Sequence, residues 1–291
     1  MSNNDSIIFT DAAAVAGPGS QPAETDGAEL DILQLPSGMD TYNAPILPEP
    51  EDVAHLVGAT QRLAELQRRM CNWSPGAASL NIEVQDLDAA NRELVDQVLG
   101  EGEVSILFDG EDRVRIQESV LTGVWRIQQV GESGALLRDL IQVAPIPDLV
   151  RDATFAGAAT AAAESGEALP EGVCNAPPLI AEINEKAAQF RPGDTPHTIN
   201  LTLLPQTEQD LEFLDQRLGA GRTTILSRGY GNCRITSTGT RNVWWVRYFN
   251  SQDKNILNSL EICAVPEVAC AAPEDIADSA ERLQEILEIY L

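Results

Sequence analysis

Residues 94–107 read LVDQVLGEGEVSIL and residues 213–226 read FLDQRLGAGRTTIL. The two stretches lie 119 positions apart, and the match extends without a gap over 80–150 against 199–269, with 15 identities in 71 positions. Arg115-Ile116 falls on Arg234-Ile235, Val124-Trp125 on Val243-Trp244, and Pro147 on Pro266. Upstream, LPSGMDTYNAP (35–45) echoes LPEGVCNAP (169–177) at a slightly different offset. Self-similarity at a fixed spacing marks a repeated structural unit, and two copies of this size fit two homologous domains better than a solenoid.

Each copy carries the same periodicities. LNIEVQ (80–85) or TINLTLL (198–204) alternates as a strand should, and 88–99 or 207–218 has helical spacing that ends at Gly100 or Gly219. Glycine is the favoured residue just past a helix. Four β-rich segments follow in each copy: EVSILF or TTILS, RVRIQES or CRITST, VWRIQQV or VWWVRYF, LRDLIQVAPIP or ILNSLEICAVP. Their period-two alternation of β-branched and aromatic residues predicts strands. The unit is therefore β-α-β-β-β-β, an α+β fold with a mainly antiparallel or mixed sheet and flanking helices near 50–69 and 177–189. A last helix opens at Pro273 with Glu274 and Asp275 in its first turn. Residues 1–30, rich in small and acidic residues, are expected to be disordered. The first repeat spans 31–156, a flexible linker 157–168 and the second repeat 169–291. Whether the repeats share one sheet or form two lobes is open at this level.

Composition narrows the partners. With 45 acidic and 19 basic residues the net charge is −26, which excludes a general nucleic-acid binder and asks for partners that are neutral or basic where they touch. Every basic residue but Lys186 and Lys254 is arginine, a bias toward planar, bidentate contacts. The start MSNNDSIIFTDAAAVAG lacks a positive n-region, and no run of 18 apolar residues occurs, so neither a secretory signal nor membrane insertion is expected. Five scattered cysteines (Cys71, Cys174, Cys233, Cys263, Cys270) suit free thiols in a reducing cytoplasm.

The copies differ most in charge. Residues 97–133 hold seven acids and three arginines; their counterpart, 216–252, holds no acid and six arginines. The shared positions keep the scaffold, so the changed ones mark a contact surface in the second copy. Its candidate partner-binding residues are Arg228, Tyr230, Asn232, Arg234, Arg241, Trp245, Arg247 and Tyr248. Trp244 is matched by Trp125 and reads as core; Trp245 must point the other way along a strand and is the surface candidate. Plainer and sharper alternatives stand beside this. Exposed arginines are often only solvated charge. RGYG (228–231) partly resembles an RNA-recognition signature, but Asn232 and Cys233 stand where an aromatic-aliphatic pair belongs. Cys233, between Arg228 and Arg234, could act as a thiolate, and Cys263 and Cys270 could join it in redox or cluster handling; buried free thiols are the simpler reading. No phosphate loop, paired-carboxylate motif or HExxH occurs, so no catalytic residue, metal ligand or cofactor is assigned.

The blocks HTINLTLLP (197–205), TILSRGYGNCRITSTGTRNVWWVRYFNS (224–251) and VPEVACAAPEDIADSAERLQEIL (265–287) closely resemble the C-terminal domain of the HupH/HyaF/HoxQ family of hydrogenase expression/formation proteins. The resemblance covers 169–291, with the first half similar to the family's diverged N-terminal region. It implies a cytoplasmic accessory protein, not an enzyme, that assists maturation of the small, iron–sulfur subunit of an uptake [NiFe]-hydrogenase. That subunit's precursor bears a twin-arginine signal peptide and is held back from export until complete. The implied partners are this precursor, its signal peptide and other hydrogenase accessory proteins. A related family member is associated with the nickel–iron site, so a second reading is action on the large subunit, or cofactor handling through Cys233, Cys263 and Cys270.

Overall fold

The helix after the first strand begins at a side-chain cap in both copies. Asp88 accepts from Asn91 N at 2.9 Å to open α3 (Ala89–Leu99), and Thr207 with Asp210 forms a capping box that opens α6 (Glu208–Leu218). Around these helices, a computed structural model describes residues 47–163, 168–229 and 231–290; the expected disordered segment 1–30 and Tyr230 lie outside them. The first copy runs α1 (Pro50–Val53), α2 (Val57–Met70), β1 (Leu80–Glu83), α3, β2 (Val104–Asp109), β3 (Arg113–Glu118), β4 (Val124–Val130), β5 (Leu136–Val143) and α4 (Asp148–Ala153). The second runs α5 (Ala176–Gln189), β6 (His197–Asn200), α6, β7 (Ala220–Ser227), β8 (Asn232–Thr238), β9 (Val243–Phe249), β10 (Asn255–Ile262) and α7 (Pro273–Tyr290). The strand read into TINLTLL stops at Asn200, whose side chain accepts from Thr202 N at 3.0 Å and turns 201–203 into a 3₁₀ turn.

The strands of both copies join in one antiparallel sheet, ordered β1-β5-β4-β3-β2-β7-β8-β9-β10-β6. The copies meet where β2 pairs with β7: Val104 faces Ser227, Ile106 faces Ile225 and Phe108 faces Thr223. Ile225 is the sequence counterpart of Ile106, and 104–227 and 108–223 are counterpart pairs as well. A local twofold axis therefore passes through the Ile106–Ile225 pair, an isologous interface inside a single chain.

Three cores fill the sheet's two faces. On the face we call the helix face, α2 and α3 pack on Ile82, Val124, Ile141 and Val143, while α5 and α6 pack on Ile199, Val243, Leu260 and Ile262. On the opposite face one core crosses the axis, built from Ile106, Ile116 and Trp125 with Ile225, Ile235 and Trp244. Trp125 and Trp244 are fully buried and each donates its indole N–H to a backbone carbonyl, of Ala144 (2.8 Å) and Ala264 (3.2 Å).

The tails are exchanged. α7 belongs by sequence to the second copy, yet Ile276, Ala280, Leu283 and Leu287 complete the first copy's helical core with α2. Gly123 (φ 78°) explains part of the fit: a Cβ there would lie 2.4 Å from Ile276 Cγ1, whereas its counterpart Asn242 keeps the same left-handed backbone (φ 62°) with a side chain. In return, the segment after α4 lies on the second copy. Phe155 meets Trp244 edge-on at 5.2 Å between ring centroids, Ala159 pairs with the turn at Thr240, and Ala162 is buried with its N–H on Asn184 Oδ1 (2.7 Å). Residues 157–163, expected within a flexible linker, are thus held by specific hydrogen bonds, and the sequence boundary at 169 does not separate two packing units.

One consequence is a pH dependence at the α7 junction. Glu118 is 6% exposed, and Gly123 N donates to its Oε1 at 3.1 Å. Burial, reinforced by Glu103 and Asp275, pushes its carboxyl up to about 7. The folded state thus holds this proton more tightly than the unfolded chain, so stability present below the ordinary carboxyl pKa is lost as pH rises through about 7. At most about 3 kcal/mol is at stake. Glu118→Gln should be more stable than the wild type at pH 8 and not at pH 4, by thermal denaturation; parallel pH profiles would contradict this.

Candidate partner-binding face

Strand alternation sorts the second copy's cationic stretch onto two faces. Asn232, Arg234, Trp245, Arg247 and Phe249 lie on the helix face of β8 and β9, whereas Cys233 and Tyr248 belong to the opposite core. Arg234 and Arg247 are direct cross-strand neighbours. Two like charges opposite one another are costly unless delocalised against something else. Here the Arg247 guanidinium lies 4.6 Å from the Trp245 ring centroid and that of Arg234 5.8 Å from Phe249, so both planes are held against aromatic rings.

Trp245 is not the surface residue that alternation suggested. It does face away from Trp244, but that side is roofed by α5 and α6, and Trp245 is 4% exposed among Phe213, Leu214 and Leu260. Its indole N–H donates to Asn258 Oδ1. The counterpart positions in the first copy hold a different solution in the same place: Arg126 donates through Nε and Nη2 to Asp139 (2.6 and 2.8 Å), and Asp96 lies 3.1 Å from Nη1. Arginine–aspartate in the first copy stands where the second has tryptophan–asparagine, and Trp245 is buried beneath the Arg247 guanidinium.

The other candidates separate. Arg228 is exposed in the β7–β8 connection, with its backbone N–H on Glu103 O at 3.1 Å. Arg241 is exposed at the opposite end of the strands, where its N–H bonds Ala159 O at 2.8 Å. The structure therefore brings together Asn232, Arg234 and Arg247, places Arg228 in the connection leading into β8, and leaves Arg241 and Tyr248 elsewhere; Tyr230 is outside the described residues. Two concavities, of about 670 and 440 Å³, are lined by first-copy residues such as Arg62, Glu83 and Arg138 or Arg92 and Asp96, and include none of these arginines. Sequence reading passed over Arg115, the exposed first-copy counterpart of Arg234 on the same face; its identity across the repeat was the available signal.

The thiols are poor nucleophiles. Cys233 points away from Arg234, into the opposite core, so the arginines do not favour its thiolate. Burial, partly offset by a hydrogen bond with Tyr248, pushes it up to about 11. Burial also lifts Cys270 to about 11, with Glu267 adding to it, and raises Cys263 further. All three are protonated at neutral pH. A thiol reagent on native protein should label exposed Cys71 and Cys174 first, with Cys233 and Cys263 reacting only on unfolding; equal rates by mass spectrometry would contradict this burial. No group of three or more His, Cys, Asp or Glu among the described residues is placed to hold a metal ion.

Comparison with known proteins fits this arrangement of two like copies. A family model described as "HupH hydrogenase expression protein, C-terminal conserved region" matches twice, over 56–169 and 173–290. The chain belongs to the HupH family. The half that resembles the family's diverged N-terminal region matches the same model as the second half. A hydrogenase expression/formation protein HoxQ of Cupriavidus necator is 46% identical over 280 residues, 96% of this chain and 97% of the relative. The hydrogenase-1 operon protein HyaF of Escherichia coli is 34% identical over 279 residues, 94% of each. A solved HupH structure from Thiobacillus denitrificans is 30% identical and covers 39% of this chain and 95% of its own, with a TM-score of 0.37. The relatives' names tie this HupH-family chain to hydrogenase maturation. No helix among the described residues is long and apolar enough to cross a membrane.

Proposed function

We propose that this protein is a cytoplasmic, non-catalytic chaperone that binds the small-subunit precursor of an uptake [NiFe]-hydrogenase, through the helix face of its second copy, before export. The observation that carries the reading is that Arg234 and Arg247 adjoin on one face within a stretch, 216–252, that holds six arginines and no acid in a chain of net charge −26, within a family named for hydrogenase expression and formation. Arginine stacked on aromatic rings is the residue type that anchors interfaces, because its planar fork is already oriented when the partner arrives. The strongly acidic remainder of the chain complements the basic region of a twin-arginine signal peptide. Buried, protonated thiols disfavour the alternative of cluster handling through Cys233, Cys263 and Cys270. The test is affinity purification of the tagged chain from cells making both hydrogenase subunits. Recovery of the small-subunit precursor, signal peptide attached, supports the proposal. Recovery of the large subunit alone moves the client to the other subunit, and recovery of neither overturns the chaperone reading.

A further inference from the structure

The second copy has two residues more than the first between its opening strand and the helix that follows. Ile82 faces Ile141 across β1 and β5, and Ile199 faces Leu260 across β6 and β10. Leu260 lies 119 positions after Ile141, and the cap Thr207 lies 119 after the cap Asp88, but Ile199 lies only 117 after Ile82. The longer connection is apolar and exposed: Leu203 is 80% and Leu204 38% exposed. In the first copy the opening strand runs on beside β5, with buried Val84 donating its N–H to Asp139 O at 3.0 Å. In the second the chain turns off, and Thr202 Oγ1 accepts from Asn258 N at 2.7 Å, which holds the turn beside β10. Pairing with β6 ends at Ser259, so among the described residues no strand lies on that side of Asn255–Leu257, where Ile256 is 56% exposed. Three of the seven large apolar side chains exposed among the described residues thus fall along one sheet edge. The corresponding edge of the first copy is charged: Arg62 pairs with Asp86 and Arg138 with Glu83 (2.8 and 2.6 Å), next to Leu137, the counterpart of Ile256.

We propose that this edge, marked by Leu203, Leu204 and Ile256, takes an extended apolar segment of the client, laid along β10 beyond the end of β6. The proposal rests on the client reading above and adds a second contact on the same copy. Asn258, which Thr202 holds, is the cross-strand neighbour of Arg247 and accepts from the Trp245 indole, so the edge is continuous with the face assigned to the client. A strand edge selects an extended chain, whose backbone continues the ladder, and exposed leucine and isoleucine select apolar side chains on it. The first copy shows the fit, since there the run-on of its own opening strand places Val84 beside the equivalent edge. A second copy of this chain is a poor occupant. Three side chains fall far short of the roughly 800 Å² that each member of a stable dimer buries, and two chains of net charge −26 repel.

The test uses the full chain, carrying a benzophenone amino acid at Leu203 or, as a control on the first copy's edge, at Leu137, in cells making the hydrogenase subunits and accessory proteins. Irradiation should link Leu203 to an uncharged, apolar segment of the small subunit, identified by mass spectrometry, and Leu137 should give no such product. Ile256→Asp, at an exposed position and with folding checked by circular dichroism, should lower the yield roughly tenfold, as expected for the loss of one apolar contact. An apolar segment of a different hydrogenase protein upholds the edge while refuting the client named above. A link to a charged segment, to residues 1–46 of the chain itself, to a second copy or to an unrelated protein overturns the proposal. So does no product from Leu203, an equal product from Leu137, or an unchanged yield in Ile256→Asp.

Discussion

Asp210→Ala should cost about 4 kcal/mol, enough to leave much of the protein unfolded at physiological temperature, because one carboxylate holds the starts of two helices. Asp210 is fully buried. Its Oδ1 accepts from the N–H groups of Cys174, Asn175 and Ala176 at the start of α5 (2.8, 2.9 and 2.9 Å), and its Oδ2 from Thr207 N at the start of α6 (3.1 Å). Desolvation alone would raise its carboxyl; four backbone donors outweigh that and hold it at about 2. With the pKa depressed, the stabilisation is present above the ordinary carboxyl range and is lost as pH falls toward 2. The first copy shows what a weaker version looks like: the counterpart Asn91 accepts a single such bond, from Ala59 N at 2.8 Å, and spends its amide on Asp88. Asp210→Asn should accordingly lie between wild type and alanine. Urea denaturation of the three proteins measures this, and an alanine variant within about 1 kcal/mol of wild type would contradict the double-cap reading.

Ending the chain at Ala272 should unfold the first copy's helical layer, although every deleted residue belongs to the second. α7 places Ile276, Ala280, Leu283 and Leu287 in a core otherwise made by α2, α3 and the first copy's strands, and Tyr290 Oη donates to Pro48 O at 2.9 Å. Losing one buried leucine costs about 2–5 kcal/mol, so removing three large side chains together exceeds the stability of an ordinary domain. Hydrogen exchange should show α2 losing protection while α5 and α6 retain it. Loss of protection in α5 and α6 instead would mean that the tails are not exchanged.

Local signals carried far in this chain. Gly100 and Gly219 mark the helix ends, and the β-branched runs mark strands, because both depend on neighbours within a few residues. The tail exchange was not legible, since Leu283 at helical spacing says that a core exists but not which copy owns it. Trp245 was misread for a related reason. Alternation gives the direction of a side chain, whereas its exposure depends on what roofs that side, and α5 and α6 come from distant sequence. The arginine surface was visible as a charge contrast between copies, but only pairing of β8 with β9 shows that Arg234 and Arg247 adjoin and that Arg241 does not.

The most direct test is the affinity of the purified chain for the hydrogenase small-subunit precursor, measured for Arg234→Glu/Arg247→Glu beside Arg68→Glu/Arg151→Glu, which makes the same charge change on exposed first-copy arginines. The account predicts a loss of roughly a hundredfold for the second-copy pair alone, with both variants folded by circular dichroism. Equal losses would reduce the effect to net charge, and undiminished binding by the second-copy variant would contradict the assignment of the partner-binding face.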